Sequence, residues 1–280
     1  MMSTETNYTQ GYSAATTSSH ASRTVASDAS FLLPYIKPTD KILDVGCGPG
    51  TITIGFSAHV PQGSVTGIDL SGTVLASARA LASEMRADGR LNATAILTFE
   101  EADILRGLPY EDGTFDLVFA SQLFPHLPPP TLPAEALKEM RRVVRPGGIV
   151  ASRDAAAQHF FPRELGLAAL LTANTLRGLG AADWPGAGMP ALYRAVGFDV
   201  EGGRVKVGCG TTCYADAGSR AWWAGRLIAR LEPGDAVRGS WVKAGVAEDE
   251  IELCVERLRQ WAETPDAWYG ILQTEIVAWK

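Results

Sequence analysis

The sequence has no long hydrophobic run. Its most apolar segment, residues 165–176, is interrupted by Gly166, Thr172 and Asn174. The segment is also shorter than the roughly 18 residues that a transmembrane helix needs. The sequence therefore predicts a protein without a membrane span.

Positive charge and cysteine are sparse as well. The chain carries 25 Lys and Arg against 31 Asp and Glu, a net charge of −6, and no basic run. Nucleic-acid binding needs clustered basic side chains, so we expect no nucleic-acid partner. The spacing of Cys47, Cys209, Cys213 and Cys254 matches no zinc template. We expect reduced thiols, no metal site and a cytoplasmic location.

Short apolar segments alternate with longer segments of helical period from residue 41 onward. This alternation is typical of a parallel sheet covered by helices, so the fold class is predicted to be α/β. Five strands are expected over residues 41–45, 64–68, 95–100, 115–120 and 148–152. Each is short and rich in Val, Ile, Leu or Phe, as strands buried on both faces are.

The pattern changes after the fifth expected strand. Helices are predicted over residues 162–178, 187–196 and 221–231 and around Ile251 to Ala262, with strands near 198–211 and 271–278. We interpret residues 154–266 as helical decoration of one domain, 31–280. Residues 1–30 are too poor in apolar side chains to form core, and they are predicted either to form a lid segment or to be a frayed terminus.

A glycine-rich loop follows the first strand. Residues 43–51 read Leu-Asp-Val-Gly-Cys-Gly-Pro-Gly-Thr, which places glycines where a strand turns into a helix. Glycine permits close backbone approach to a ligand, and a helix N-terminus offers N–H groups to an anion. Asp69 ends the next strand, where an acid accepts the hydroxyl hydrogens of a ribose. Thr51 stands where a dinucleotide fingerprint has its third glycine, which counts against a nicotinamide cofactor.

Residues 43–50 resemble the first motif of class I S-adenosylmethionine-dependent methyltransferases, particularly the ubiquinone/menaquinone-biosynthesis type. The resemblance continues through Gly67-Ile68-Asp69-Leu70-Ser71 and through residues 102–104, 108–118 and 142–148. It implies a Rossmann-like, mostly parallel seven-stranded sheet with helices on both faces and a helical cap inserted after the fifth strand. It also implies S-adenosyl-L-methionine as the cofactor, S-adenosyl-L-homocysteine as the product, and no metal.

The resemblance also implies contacts to the amino-acid part of that cofactor. Gly46 and Gly48 would pack their backbone against it. Asp44 would orient the loop or accept a hydrogen bond from the cofactor ammonium. Tyr12, in the N-terminal segment, would approach the sulfonium.

The nucleoside contacts come from later motifs. By the same resemblance, Asp69 holds the ribose hydroxyls and Leu70 stacks on the adenine. Asp103 accepts from the adenine amino group while Ile104 donates from its backbone, although Asp103 alone is equally typical of a helix N-cap. Ser121, at the end of the fourth strand, completes the predicted cofactor residues.

The acceptor side has weaker signals. Residues 120–128 lack the Asn/Asp-Pro-Pro-aromatic motif of nucleic-acid and protein amide methyltransferases, which disfavours those substrates. His126 and His20 are the candidate catalytic bases, although His126 is equally typical of a helix start or a surface position. The predicted substrate-binding residues are Gln122, Phe124, Arg153, Trp184 and Trp222. Arg153 is equally compatible with a surface ion pair.

The function expected from these residues is methyl transfer from S-adenosyl-L-methionine to an O, N or S atom, less readily carbon, of a small organic molecule. Secondary metabolites are one acceptor class among several, and a monomer or homodimer is expected. Two alternatives stay open. One is a protein that binds the cofactor without transferring methyl, as a rearrangement catalyst or binding module, and the other is an NAD(P)-dependent oxidoreductase.

Overall fold

The computed structural model describes residues 11, 16, 20–127 and 129–280. Within these residues, seven strands form one sheet in the order β3-β2-β1-β4-β5-β7-β6. The strands are β1 (Lys41–Val45), β2 (Ser64–Asp69), β3 (Ile96–Glu101), β4 (Phe115–Ser121), β5 (Val144–Phe161), β6 (Val205–Tyr214) and β7 (Trp268–Trp279). Strands β1 to β5 are parallel, and β7 lies antiparallel between β5 and β6. The expected mostly parallel seven-stranded sheet is confirmed.

Helices cover both faces of the sheet. They are α1 (Val25–Asp28), α2 (Thr51–Phe56), α3 (Gly72–Ala87), α4 (Leu132–Val143), α5 (Leu167–Leu179), α6 (Pro185–Ala195), α7 (Ala217–Arg230), α8 (Ala236–Lys243) and α9 (Glu248–Glu263). An apolar stripe of α3 is buried at Leu75 and Ala78, and Ser71 caps this helix by accepting from the Val74 N–H. One apolar face and a polar cap explain why this segment is helical.

The middle of the sheet is apolar on both faces. Leu43 in β1 and Val118 in β4 pack against α4 on one side, while Ile42 and Phe119 pack toward α1 and α2 on the other. All four side chains are fully buried. Because β1, β2 and β4 are parallel, their carboxyl ends meet at one edge, where open α/β sheets bind ligands.

The first four strands lie within one residue of their predicted bounds. The fifth was predicted to end at residue 152 but continues to Phe161, because β5 pairs with β7 from Ile149 to Phe161. The sixth was predicted near 198–211 and spans Val205–Tyr214. Sequence analysis missed the short helices α1 and α8, whereas α2 is the helix expected after the glycine loop.

The extensions of β5 and β7 carry a second core. It lies beneath a helical cap formed by α5, α7, α8 and α9. Phe160, Leu258, Trp261 and Tyr269 are buried together there. Trp261 is fully buried and its indole N–H donates to the Phe161 carbonyl at 3.0 Å. Trp261 therefore belongs to this second core.

Candidate active site

The loop after β1 is built on glycines with left-handed backbone. The φ angles of Gly46, Gly48 and Gly50 are 71°, 54° and 79°, which side chains rarely tolerate. A Cβ at Gly50 would lie 2.8 Å from Ala78 Cβ, whereas a Cβ at Gly48 would meet nothing within 4 Å. Gly50 is thus required for packing, and Gly48 leaves its backbone open toward a cavity.

Asp69 fixes this loop from the end of β2. One carboxylate oxygen accepts from the Gly48 N–H at 2.9 Å and the other from the Ser71 N–H at 3.0 Å. Burial raises the pKa of Asp69 from its ordinary value, while these backbone donors oppose the shift. The carboxylate keeps further lone pairs for a hydroxyl ligand.

A first cavity, of about 310 Å³, runs along the carboxyl ends of β1, β2 and β4. Its lining includes eight of the residues predicted to bind a cofactor: Asp44, Gly46, Gly48, Asp69, Leu70, Asp103, Ile104 and Ser121. Tyr12 lies outside the described residues. Sequence analysis missed Thr16, Leu105, Arg106 and Leu123, which also line this cavity. Leu105 and Arg106 directly follow the motif at residues 102–104, and their position next to that motif could have indicated them.

Asp103 has the features of both of its interpretations, a helix N-cap and a residue of the cofactor site. Its carboxylate accepts from the Leu105 N–H at 3.0 Å, as an N-cap does, and also lies 3.3 Å from the Arg106 guanidinium. The same residue lines the first cavity. The cap orients the turn that presents the Ile104 backbone.

Asp44 is a buried carboxyl beneath the glycine loop. Its Oδ2 accepts from the Thr53 hydroxyl at 2.6 Å. Burial raises the pKa of Asp44 to about 7, with a further contribution from Asp69 and an opposing one from Thr53. A cation placed nearby would favour the ionised form.

A second cavity, of about 450 Å³, lies beneath the cap. The predicted substrate residues Trp184 and Trp222 line it, together with Trp223, Tyr214 and Tyr269. Trp223 stacks on Tyr269 with ring centroids 4.1 Å apart. Sequence analysis missed the two tyrosines, because they lie on β6 and β7 beyond the sheet's central part.

Gln122 and Arg23 line both cavities, so the two spaces meet there. Gln122 has a φ of 55°, and its N–H donates to the Arg153 carbonyl at 2.8 Å. Ser121 Oγ and Gln122 Nε2 are buried without a hydrogen-bond partner among the described residues. Since buried polar atoms are normally paired, these two indicate groups that a bound ligand satisfies.

Two histidines also line the first cavity, His20 and His126. Burial is the main cause that lowers the pKa of His20 to about 2 and that of His126 to about 3. The positive charges of Arg23 and Arg230 add to both shifts. Both imidazoles are therefore neutral at physiological pH and able to accept a hydrogen bond.

Arg153 does not line either cavity, contrary to its predicted substrate contact. It is 1% exposed and lies 2.5 Å from the Asp28 carboxylate and 3.1 Å from the Glu275 carboxylate. Because β5 continues beside β7, its guanidinium is enclosed between α1 and Glu275. Its role is a buried ion pair.

Phe124 was also predicted to contact substrate, but it lines neither of the two cavities. Its ring is 1% exposed in the core that includes Leu137 and Met140. A short 3-10 turn over Phe124–His126 directs the ring inward. The backbone N–H of Phe124 donates to Asp154 Oδ1 at 3.3 Å. Burial raises the pKa of Asp154 to about 7.

The described part of the chain contains neither a cluster of metal ligands nor a membrane-spanning helix. No group of three or more His, Cys, Asp or Glu side chains there is arranged to hold a metal ion. No described helix is both long and apolar enough to cross a membrane.

Comparisons with known proteins agree with this geometry. The methyltransferase domain family matches residues 42–148. The chain is 47% identical over 279 residues to the probable methyltransferase ltbC of Aspergillus luteorubrus, covering 98% of this chain and 97% of the relative. It is 38% identical over 114 residues to the ubiquinone/menaquinone biosynthesis C-methyltransferase of Bdellovibrio bacteriovorus, covering 41% and 43% of the two chains.

A solved structure has the same fold. The YcgJ protein of Bacillus subtilis matches with a TM-score of 0.54 at 15% identity, over 88% of this chain and 96% of that one. At this identity the likeness concerns the fold alone. The match to ltbC, in contrast, includes the cap as well as the strands around the first cavity. Together the matches favour methyl transfer over the nicotinamide-dependent alternative.

Proposed function

The chain belongs to the class I S-adenosylmethionine-dependent methyltransferases, and we propose that it methylates an O, N or S atom of a small organic molecule bound in the second cavity. The observation that carries this proposal is the meeting of the two cavities at Gln122 and Arg23. Methyl transfer is an in-line displacement, so donor and acceptor need adjacent sites with a shared boundary.

The first cavity fits S-adenosylmethionine by its donor set. Asp69 would bind the ribose hydroxyls and Leu70 the adenine face. Asp103 would accept from the adenine amino group, and the Ile104 backbone would donate to the adenine. Gly46, Gly48 and Asp44 would bind the amino-acid part. The open backbone at Gly48 supports this fit, as does the Ser121 hydroxyl, which has no hydrogen-bond partner among the described residues. When bound, the cofactor supplies a methyl group activated by the positive charge of its sulfonium.

Gln122 and the two histidines would orient the acceptor. The Gln122 amide has an available donor at the boundary between the cavities. His20 and His126 are neutral, but pKa values of about 2 and 3 make them weak bases. We assign them the role of accepting a hydrogen bond from the acceptor hydroxyl or amine. An acceptor that arrives deprotonated needs no stronger base.

The N-terminal segment 1–30 would act as a lid on the cofactor. Thr16, His20 and Arg23 line the first cavity, and Asp28 binds Arg153 at the end of this segment. Such a lid would exclude water from the transferring methyl.

The partial match to a ubiquinone/menaquinone C-methyltransferase supports a cofactor site of that type. Cytoplasmic location, a role in secondary metabolism, and a monomer or homodimer stay predictions.

The test is to supply S-adenosylmethionine with a panel of phenols, thiols and amines and to measure S-adenosylhomocysteine and methylated product by mass spectrometry. We expect the two products in equal amounts for at least one acceptor. Tight cofactor binding without turnover on any acceptor would contradict methyl transfer to this class of molecule. It would favour the alternative in which the cofactor is bound without transfer.

A further inference from the structure

Strand β6 is the edge strand of the sheet, and one of its faces is exposed. Among the described strands it pairs with β7 alone, in an unbroken antiparallel register. The side chains of Val207, Cys209, Thr211 and Cys213 are exposed and share one face, because side chains alternate along a strand. Leu272 of β7, opposite Thr211 on the same face, is 39% exposed. This edge of the sheet therefore presents an exposed and partly apolar surface.

The backbone of this edge is oriented for pairing with another strand. The Arg204 carbonyl accepts from the Trp279 N–H at 3.0 Å, which fixes the alternation of bonds between β6 and β7. In an antiparallel ladder every second residue bonds to the neighbouring strand, and the residues between them direct their N–H and C=O groups to the other side. The odd-numbered residues from Val205 to Cys213 therefore direct these groups outward.

Edge strands usually carry features that prevent such pairing, namely proline, bulges, short length or several charged side chains. Strand β6 is ten residues long and has neither a proline nor a register shift against β7. Lys206 is its one charged residue. A strand of this kind is a template for extension of the sheet by another chain.

The charges beside this edge are complementary to a second copy of the chain. Lys206 precedes Thr211 by five residues, and Asp216 follows it by five. Both side chains are exposed, and the backbone at Asp216 is still extended, with φ −77° and ψ 159°. Their hydrogen bonds go to neutral groups, the Tyr35 hydroxyl and Ser219. An antiparallel copy centred on Thr211 would place the partner's Asp216 opposite Lys206, and symmetry forms this pair twice.

The same symmetry brings the exposed cysteines together. Cys209 and Cys213 are four residues apart on β6, so their Cα atoms are about 13 Å apart and too distant for a disulfide within one chain. Each lies two residues from Thr211, so Cys209 would face the partner's Cys213. Hydrogen-bonded antiparallel residues have Cα atoms about 5.5 Å apart, which is within the range of disulfides.

We propose that two copies of this chain associate through β6, antiparallel and centred on Thr211, so that one sheet extends across both subunits. The inference is independent of methyl transfer, because it uses the face of β6 opposite to the second cavity. Thr212 and Tyr214 line that cavity from the same strand. The partner strand would therefore also support one wall of the second cavity.

Cysteine substitution in the full chain tests the register. Diamide takes two hydrogens from each pair of facing thiols and leaves a disulfide, and a non-reducing gel then detects the covalent dimer. Cys209→Ser and Cys213→Ser should each lose this dimer, because every bridge needs one cysteine of each kind. Co-expression of the two variants should restore it. A covalent dimer in either variant alone, or its absence from the native or the co-expressed protein, would overturn the proposal.

Sedimentation equilibrium under reducing conditions tests the association without a covalent bond. Thr211→Pro removes an outward N–H and should weaken the dimer by at least about ten-fold. Thr211→Val keeps that N–H and should associate like the native chain. Circular dichroism and S-adenosylmethionine binding show that each variant is folded. A native chain that stays monomeric, or native association of folded Thr211→Pro, would contradict pairing with a second copy and leave the edge to another partner.

A charge reversal tests the orientation of the partner. Lys206→Glu would place like charges opposite each other in both symmetric pairs, so the dimer should weaken by about ten-fold. Lys243→Glu, at an exposed position on α8, makes the same change of charge and should leave the association unchanged. Equal association of the two variants would overturn the proposed antiparallel register.

Discussion

Arg153 Nη1 lies 2.5 Å from Asp28 Oδ1, and this ion pair joins β5 to α1, the helix at the end of the N-terminal segment. Both side chains are buried, with Arg153 1% and Asp28 6% exposed. His20 and Arg23 precede Asp28 in the chain and line the first cavity. The ion pair therefore fixes the end of the segment that contacts the cofactor site.

Asp28→Asn is expected to destabilise the protein by about 2–3 kcal/mol, because removing one partner leaves a buried guanidinium only partly compensated by Glu275. It should also weaken S-adenosylmethionine binding, since the segment loses its anchor. Thermal or urea unfolding and cofactor calorimetry measure the two effects. Glu201→Gln is the matched control, because the Arg194–Glu201 pair is exposed and its loss should cost at most about 1 kcal/mol. Equal effects of the two substitutions would contradict the anchor.

Asp69→Asn is expected to weaken S-adenosylmethionine binding by about 10- to 100-fold, because the charged acceptor for the ribose hydroxyls is lost. The Asn side chain keeps one acceptor oxygen, which can bind the Gly48 N–H or the Ser71 N–H but not both, so the fold should persist with a small loss of stability. Calorimetric titration measures the affinity, and circular dichroism measures the fold. Asp88→Asn, at an exposed position of similar charge, should bind like the native protein. Native affinity in Asp69→Asn would remove Asp69 from the cofactor site.

Cofactor binding is expected to depend on pH through Asp44. Burial raises the pKa of Asp44 to about 7 in the free protein, so this carboxyl is mostly protonated below pH 7. A bound ammonium stabilises the ionised form, so binding below pH 7 releases a proton and the affinity rises with pH. The association constant should increase by about ten-fold from pH 5.5 to 7.

The matched control for this pH dependence is Asp44→Asn, which should flatten the profile over the same range. His20 and His126 cannot produce it, because their pKa values of about 2 and 3 lie below that range. Asp44→Asn retains the carboxyl of Asp69, so a pH dependence caused by Asp69 would persist in this variant. An unchanged slope in this variant would show that another group titrates.

The cofactor half of the molecule was predictable from sequence because its signals are local. The glycine loop, Asp69 and Asp103 stand in contiguous motifs, and each motif ends a strand at the same edge of the sheet. The hydrophobic pattern gave the first four strands to within one residue for the same reason. Parallel buried strands need continuous apolar segments, and those segments are visible in the sequence.

The second cavity, which we propose binds the acceptor, depends on pairing between segments that are distant in the sequence. Gln158 on β5 and Tyr269 on β7 line the second cavity together because the two strands pair past the sheet's centre. Sequence pattern alone does not indicate that pairing, since the polar residues Arg153, Asp154 and Gln158 resemble a strand end. The same extension encloses Arg153 and removes it from the predicted substrate contact. Phe124 lines neither cavity for a related reason, because a three-residue turn decides whether its ring faces the core.

The central claim is that the second cavity binds the acceptor while the first binds the cofactor, and blocking one cavity tests it directly. Thr175 lines the second cavity but not the first. Thr175→Trp therefore fills the second cavity, and Thr175→Val serves as the isosteric control. With the acceptor that the panel identifies, Thr175→Trp should lose about 100-fold or more in kcat/KM and keep native affinity for S-adenosylmethionine. Thr175→Val should stay within about three-fold of the native kcat/KM, since it removes only a hydroxyl. Native turnover in Thr175→Trp, with the fold intact, would contradict the account.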